Sequence, residues 1–428
     1  MHKIILLAAL VACGLSSCVS YTSAPTDLSR DTVQWLQISS QLCPASRHLN
    51  RSDMLRIGLM LNTDLNKARL GYAKSTSVAE FAGLWDDPSL SVEVERVFRE
   101  NFTNKAISPG LTLPVTGLPA LTKKIAEHYK EADYWDMRDK ERKYMTELEC
   151  LRHRIMVTHA KLAITQKRLS IMEDEQKKIT RLHELGEVDF GAFQVATQRL
   201  NDTRKEQMEL EAQHLEQRQE LVSMLGLHPS LGNIELAGSL PGGVPAPVGV
   251  PGANALLASP SVKSLQAAYG ASETELRAEI RKQYPELGIS PLYGSEEGNS
   301  KLSVGVEFSL PLWNRNREGI AAAGGNRALK QAELIAEWRK LLQQAGALGA
   351  QQTLLRKHCS TEHTRLGTME AAATQQEKLF GLGEASILEV AESRHVAYER
   401  RLAYLDCLGK LLETQSKLQY LNPSYQQK

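Results

Sequence analysis

LHELGE (Leu182–Glu187) interrupts a long stretch that holds neither proline nor glycine. LFGLGE (Leu379–Glu384) breaks a second charged, helix-like run 197 positions later. Glycine adopts positive φ at little cost, so Leu-Gly between two helical runs reads as a tight turn at the tip of a hairpin. The same spacing relates other landmarks in the same order: Pro88-Ser89-Leu90 falls on Pro285-Glu286-Leu287, and Leu113-Pro114 falls on Leu310-Pro311. The chain therefore reads as an internal duplication, with units far larger than the 20–50-residue repeats of solenoids.

Each unit has the same order of elements: a helical stretch (around Ser52–Leu84, then Ser261–Tyr284), two short alternating segments, a very long helix, the Leu-Gly-Glu turn and a shorter helix. The first long helix is expected from Pro119, a residue suited to the first helical position, to Arg181. At 1.5 Å per residue it is about 95 Å long. The returning stretch, Phe193 to Met224, covers about half of that. Placed end to end with the pre-strand helix of the next unit, it nearly matches the long one. Between the units GSLPGGVPAPVGVPG (Gly238–Gly252) admits neither helix nor central strand, and it reads as a belt beside the middle of the hairpin. Helices of this length cannot satisfy an apolar stripe alone and must associate laterally.

The chain divides accordingly into a signal segment (1–17), an N-terminal segment (18–50), a first repeat (51–227), a linker (228–260), a second repeat (261–422) and a tail (423–428). Strands are expected over about 88–98 and 106–114, with the hairpin at 119–226. The second repeat places them at about 285–293 and 301–311, with the hairpin at 316–421.

Composition agrees with long helices: of 428 residues, 24% are charged and only 6% aromatic, and the formal charge of +1 gives no net attraction to nucleic acid. The opening MHKIILLAALVACGLSSC reads as an export signal. Leu15-Ser16-Ser17-Cys18 resembles the bacterial lipoprotein cleavage box, which assigns lipidation to Cys18. Leu10-Val11-Ala12-Cys13 also fits but leaves a shorter signal. No further apolar run reaches about 18 residues, so no other membrane-spanning helix is expected.

The alternating segments carry the functional weight. Leu302, Val304, Val306, Phe308 and Leu310 share one face, opposite Lys301, Ser303, Gly305, Glu307 and Ser309. Ile107, Pro109, Leu111 and Leu113 oppose Ser108, Gly110 and Thr112, and Leu90, Val92 and Val94 oppose Ser91, Glu93 and Glu95. Leu287–Tyr293 alternates more weakly and contains Pro291. Period-two segments of about ten residues fit transmembrane strands, apolar toward lipid and polar toward a lumen; soluble half-buried hairpins share the pattern. Four strands cannot close a barrel in lipid, so the membrane reading requires an oligomer.

With the duplication, GLWDDPSLSVEVE (Gly83–Glu95), FSLPLWNRNREGI (Phe308–Ile320) and the paired Leu-Gly turns, the chain resembles the TolC-type outer-membrane factor family over about residues 50–422. The first two motifs lean toward its heavy-metal-efflux branch. The resemblance implies a mainly α fold with a small β part, assembled as a homotrimer. Duplicated helical hairpins would form an α-barrel, and four strands per chain a twelve-stranded barrel. It further implies an outer-membrane location in a Gram-negative bacterium, with the helices in the periplasm.

As partners it implies a periplasmic adaptor, an inner-membrane pump of the resistance-nodulation-division type and outer-membrane lipid, with no nucleic acid and no cofactor. The adaptor would meet the tips, Leu185, Gly186 and Glu187 and Leu382, Gly383 and Glu384. The family usually carries Tyr three residues before each tip glycine; His183 and Phe380 stand there instead. Glu389 and Glu392 match acidic residues that ring the family's periplasmic entrance, whereas the first copy has Ala192 and Val195.

Cys359 and Cys407 lie 24 residues before and after Gly383, at equal height on the hairpin. They suit a cross-helix disulfide if their Cβ atoms face each other, or remain as buried thiols. Cys359 and His363, an i, i+4 pair beside His358, give two ligands where zinc generally needs three or four, so no metal site is assigned. No nucleophile elbow, HExxH or P-loop pattern occurs, which points away from an enzyme. The leading reading is a passive exit duct of a tripartite efflux system. A periplasmic adaptor or a structural coiled-coil lipoprotein is the alternative.

Overall fold

A computed structural model describes residues 21–98, 102–308 and 310–422. The signal segment with Cys13 and Cys18, residues 99–101 of the first strand loop and the tail 423–428 lie outside the described residues.

The chain opens with α1 (Leu28–Leu42), capped by the Asp27 carboxylate, and β1 (His48–Leu49). Two helices follow, α2 (Arg51–Leu61) and α3 (Thr63–Phe81), where the sequence reads as one helical stretch. The break falls at Asn62, whose side chain accepts from the N–H groups of Asp64 and Leu65. Asparagine favours this role because its amide competes for backbone donors. The hairpin β2 (Ser89–Val97) and β3 (Phe102–Leu113) leads into α4 (Leu118–Glu184), and α5 (Phe190–Met224) returns. A 3₁₀ turn (Pro229–Leu231), β4 (Glu235–Leu236) and α6 (Ala253–Leu257) occupy the linker. Then α7 (Pro260–Arg281), β5 (Leu287–Glu296), β6 (Asn299–Phe308), α8 (Arg317–Gly381) and α9 (Ile387–Leu421) repeat the order. The long helices have 67 and 65 residues, each about 100 Å. The fold is mainly α with a small β part, as read from the sequence.

The returning helices stack differently from the expectation. Asn62 Nδ2 donates to the Met224 carbonyl at 3.1 Å, so α5 runs into α3 of its own unit rather than into α7. Gly226, with φ 70, lets the two ends meet: a Cβ there would stand 2.6 Å from the Leu61 carbonyl oxygen. Apolar packing fixes the choice, because Leu221, Leu225 and Leu227 join Leu49, Ile57 and Leu148 in one core cluster. At the end of α9, Leu421 likewise joins Leu256 of α6 and Val262 at the start of α7. Each unit is closed on itself. α3 and α5 flank α4 end to end, and α7 and α9 fill the space between α4 and α8.

The linker pairs once, β1 parallel to β4, and then runs as an extended strap beside α8 and α9. Proline-rich backbone makes few internal hydrogen bonds, so buried side chains supply them. Gln352 donates to the Val248 carbonyl at 2.9 Å and accepts from its N–H at 2.8 Å, and Gln415 donates to the Ala246 carbonyl at 2.7 Å.

The four longer strands form one antiparallel sheet in the order β2-β3-β5-β6. The contact between the two units, β3 with β5, pairs in two stretches, Lys105–Ile107 with Tyr293–Ser295 and Leu111–Leu113 with Leu287–Ile289. Between them stand Pro109 and Pro291, which have no N–H to give.

Candidate functional site

The register places most apolar residues of the four strands on one face, Leu292 lying on the other. Val92 lies opposite Ile107, Ile107 opposite Tyr293, and Tyr293 opposite Leu302. Leu90, Leu111, Ile289, Val304 and Val306 extend the same face, whereas Glu93, Ser108, Ser290 and Glu307 point the other way. On the outer strands the apolar side chains are largely open, with Val92 61% and Leu302 77% exposed. Such a face is far more apolar than water tolerates at an ordinary surface. Among the described residues no strand pairs with the outer edges of β2 and β6.

Two residues overlooked in the sequence belong with this face. Trp85 precedes β2 and Trp313 follows β6, both well exposed at the helical end of the sheet. Indole rings flanking an apolar band suit a membrane–water boundary. The signal was present, as each lies a few residues outside an alternating segment.

At the opposite end of the helices the two tips are built alike. Glu187 N–H donates to the Leu182 carbonyl at 2.9 Å and Gly186 N–H to His183 at 3.0 Å; Glu384 and Gly383 repeat both bonds to Leu379 and Phe380 at the same distances. This is the Schellman arrangement, and it requires the φ of +79 found at both Gly186 and Gly383. Leu185 and Leu382 project into solvent, 59% and 73% exposed. The flanks differ. His183 stacks on Phe193 at 4.8 Å and contacts the Val188 carbonyl through Nδ1, while Phe380 is partly exposed.

Glu389 and Glu392 occupy the first turns of α9, each with its own partner. The Glu389 carboxylate accepts from the Ser386 N–H at 2.7 Å, and Ser386 Oγ accepts from the Glu389 N–H, a reciprocal capping box. The Ser386 N–H, with the Ser386 hydroxyl donating to the same carboxylate at 3.1 Å, holds the Glu389 carboxyl below the usual carboxylate range. Glu392 pairs with Arg199 of α5.

Just above the tips lies a buried ionic cluster that sequence reasoning missed. Glu175 accepts from Arg168 at 3.1 Å and from Arg394 at 2.7 Å, and Arg394 reaches Glu377 at 2.6 Å. Arg168 also donates to the Ala391 carbonyl. Burial draws the Arg168 guanidinium down from its ordinary value, and Glu175 opposes that shift. Tyr398 donates to Glu206 at 2.7 Å and shares a bond with Thr165. Together these residues link α4, α5, α8 and α9. The available signal was Arg168 and Glu175 seven residues apart, two turns along one seam.

Cys359 and Cys407 face each other, joined as a disulfide with Cα atoms 5.5 Å apart. Both are buried beside Leu411, with Val244 of the strap against them. His363 does not join Cys359 in a ligand pair; its ring lies against Tyr404 at 5.0 Å. Among the described residues no helix is long and apolar enough to cross a membrane.

A sheet with one bare apolar face, set on two long helical hairpins, defines the class: the chain has the fold of the TolC-type outer-membrane channels. The solved structure of CusC, described for its transmembrane channel formation, superposes with a TM-score of 0.72 at 14% identity, over 87% of this chain and 92% of that one. The outer-membrane channel OprN gives 0.73 at 14% identity, over 87% and 89%. In sequence, the nickel and cobalt resistance protein CnrC of Cupriavidus metallidurans is 38% identical over 89 residues, 20% of this chain and 21% of that protein. The match thus spans about a fifth of that curated relative. No protein-family model matches the chain.

Proposed function

We propose that the chain is the outer-membrane exit duct of a tripartite efflux system, passively conducting substrate delivered by an inner-membrane pump through a periplasmic adaptor. The observation that carries this reading is the continuous apolar face of a sheet with two open edges. An unpaired edge in lipid leaves backbone groups unsatisfied, so copies of the chain must complete each other. Three copies give twelve strands, with the polar face of each sheet toward the lumen. Lipidation of Cys18 adds an anchor in the same membrane, and the channel chemistry calls on no catalytic group or cofactor. Detergent-extracted protein is expected to run as a trimer and to give stepwise conductance in planar bilayers; a soluble monomer without conductance would overturn the reading. Incorporation of labelled palmitate, lost in Cys18→Ala, tests the anchor.

The two tips form the adaptor-docking surface, with exposed Leu185 and Leu382 as its apolar contacts. Glu389 and Glu392 line the periplasmic entrance. Because Glu392 is paired with Arg199, the cation preference of the entrance depends on both charges. Glu389→Gln combined with Glu392→Gln lowers cation selectivity, and Arg199→Gln raises it. The likeness to CnrC favours metal cations as cargo, which loss of metal tolerance on deletion would test.

A further inference from the structure

Beside the β1–β4 pair, at mid-height of the first hairpin, lies a cavity of ≈ 480 Å³. It is lined by Met156 and His159 of α4, His214 and Arg218 of α5, and His48 and Glu235 of the strand pair. The rings of His159 and His214 stand 5.8 Å apart, centroid to centroid. Two imidazoles on one divalent ion, with metal–nitrogen bonds of about 2.1 Å, put their centroids roughly 5 Å apart. The pair is therefore within about 1 Å of chelating separation, a shift small rotamer changes can supply.

Glu235, 3.4 Å from His48, brings a carboxylate to the rim and offsets Arg218. Among the described residues no three His, Cys, Asp or Glu side chains stand close enough to hold a metal ion. The chemistry on offer is two imidazoles, with water in the remaining positions. Duplication supplies an independent observation. His159 and His214 lie 27 residues before and 28 after Gly186, bridging the first hairpin at nearly the height at which Cys359 and Cys407 bridge the second.

We propose that His159 and His214 chelate a first-row divalent transition cation, cross-linking the first hairpin as the disulfide cross-links the second. Two imidazoles with water completing the coordination suit nickel and copper in this role, not a closed zinc site. The proposal does not rest on the channel reading, because it concerns one hairpin of one chain.

The test is calorimetric titration of the detergent-purified full chain with Ni²⁺, with thermal melts alongside. One saturable site per chain is expected, with a melting temperature raised by the metal. His159→Gln and His214→Gln should each weaken binding by about tenfold or more and abolish the thermal shift, while His363→Gln on the other hairpin changes neither. Cu²⁺ bound to the unmodified chain should show two nitrogen donors by electron paramagnetic resonance, and one in either variant. Absence of saturable binding, or equal binding by the unmodified chain and both variants, overturns the proposal.

Discussion

The two hairpins, α4–α5 and α8–α9, agree at their ends and differ in their interiors. Their tips share one hydrogen-bond pattern, and both returning helices have 35 residues. Yet sixteen residues of α9 are buried in the single chain, against six of α5. The reason is position: α9 lies between α4 and α8, while α5 flanks α4 from outside. Duplication preserved the backbone plan, and place in the helix layer then set the side chains. The rule does not extend to the first turns, where Ala192 and Val195 of α5 correspond to the exposed Glu389 and Glu392 of α9.

The largest effect should come from the buried cluster that joins the hairpins. Glu175→Gln leaves Arg168 and Arg394 without their shared carboxylate, and loss of roughly 3–5 kcal/mol is expected in denaturant unfolding. Glu377→Gln, on the exposed side of Arg394, should cost less than about 1 kcal/mol. Equal losses would show that the hairpins are held by apolar packing and not by this cluster.

Next comes the difference in cross-linking. The disulfide closes a loop of 48 residues in the second hairpin. The chain-entropy argument gives about 3–4 kcal/mol for such a loop. Cys359→Ser with Cys407→Ser should lower the melting temperature and remove its response to reductant. A reductant response that survives the double variant would place the sensitive bond elsewhere.

The seam between the hairpins should also answer to pH. Burial pushes His153 of α4 down to about 4, near Ser416 of α9. An unfolded histidine titrates near 6.5, so below about 6.5 the unfolded chain binds the proton and the folded chain does not. Stability is full above that pH and declines as pH falls toward 4, by up to about 3 kcal/mol. Melting curves between pH 7 and pH 4.5 should show this slope, and His153→Gln should flatten it.

Legibility followed the reach of each signal. Glycine turns, proline landmarks and period-two strands are local, so the hairpins, the sheet and the tips could be placed from residues such as Gly186 and Leu302. End-to-end stacking is not local. Lengths alone allowed α5 to meet either α3 or α7, and long-range contacts distinguish them, Gly226 against Leu61 and Asn62 to the Met224 carbonyl. The Glu175 cluster was hidden for a similar reason, as its partners lie 7 and 219 residues away. Equal distance from a known turn does carry information across a hairpin. It placed Cys359 opposite Cys407, and it would have placed His159 opposite His214.

The smallest effect tests how far the likeness of the tips extends. Gly186 and Gly383 both have φ +79, and no neighbouring atom lies within 4 Å of where a Cβ would stand. Alanine at either site therefore meets only backbone strain, about 1 kcal/mol. Gly186→Ala and Gly383→Ala should cost the isolated chain the same, and asparagine should be tolerated better than alanine because it enters this conformation more readily. Adaptor binding need not follow that equality. Behind the first turn His183 is stacked on Phe193, whereas behind the second Phe380 is partly open to solvent. If the apolar surface around the turn carries docking, Phe380→Ala weakens adaptor capture more than His183→Ala while the two glycine variants remain matched in stability. Matched capture by all four variants would leave Leu185 and Leu382, the residues the tips share, as the contacts that matter.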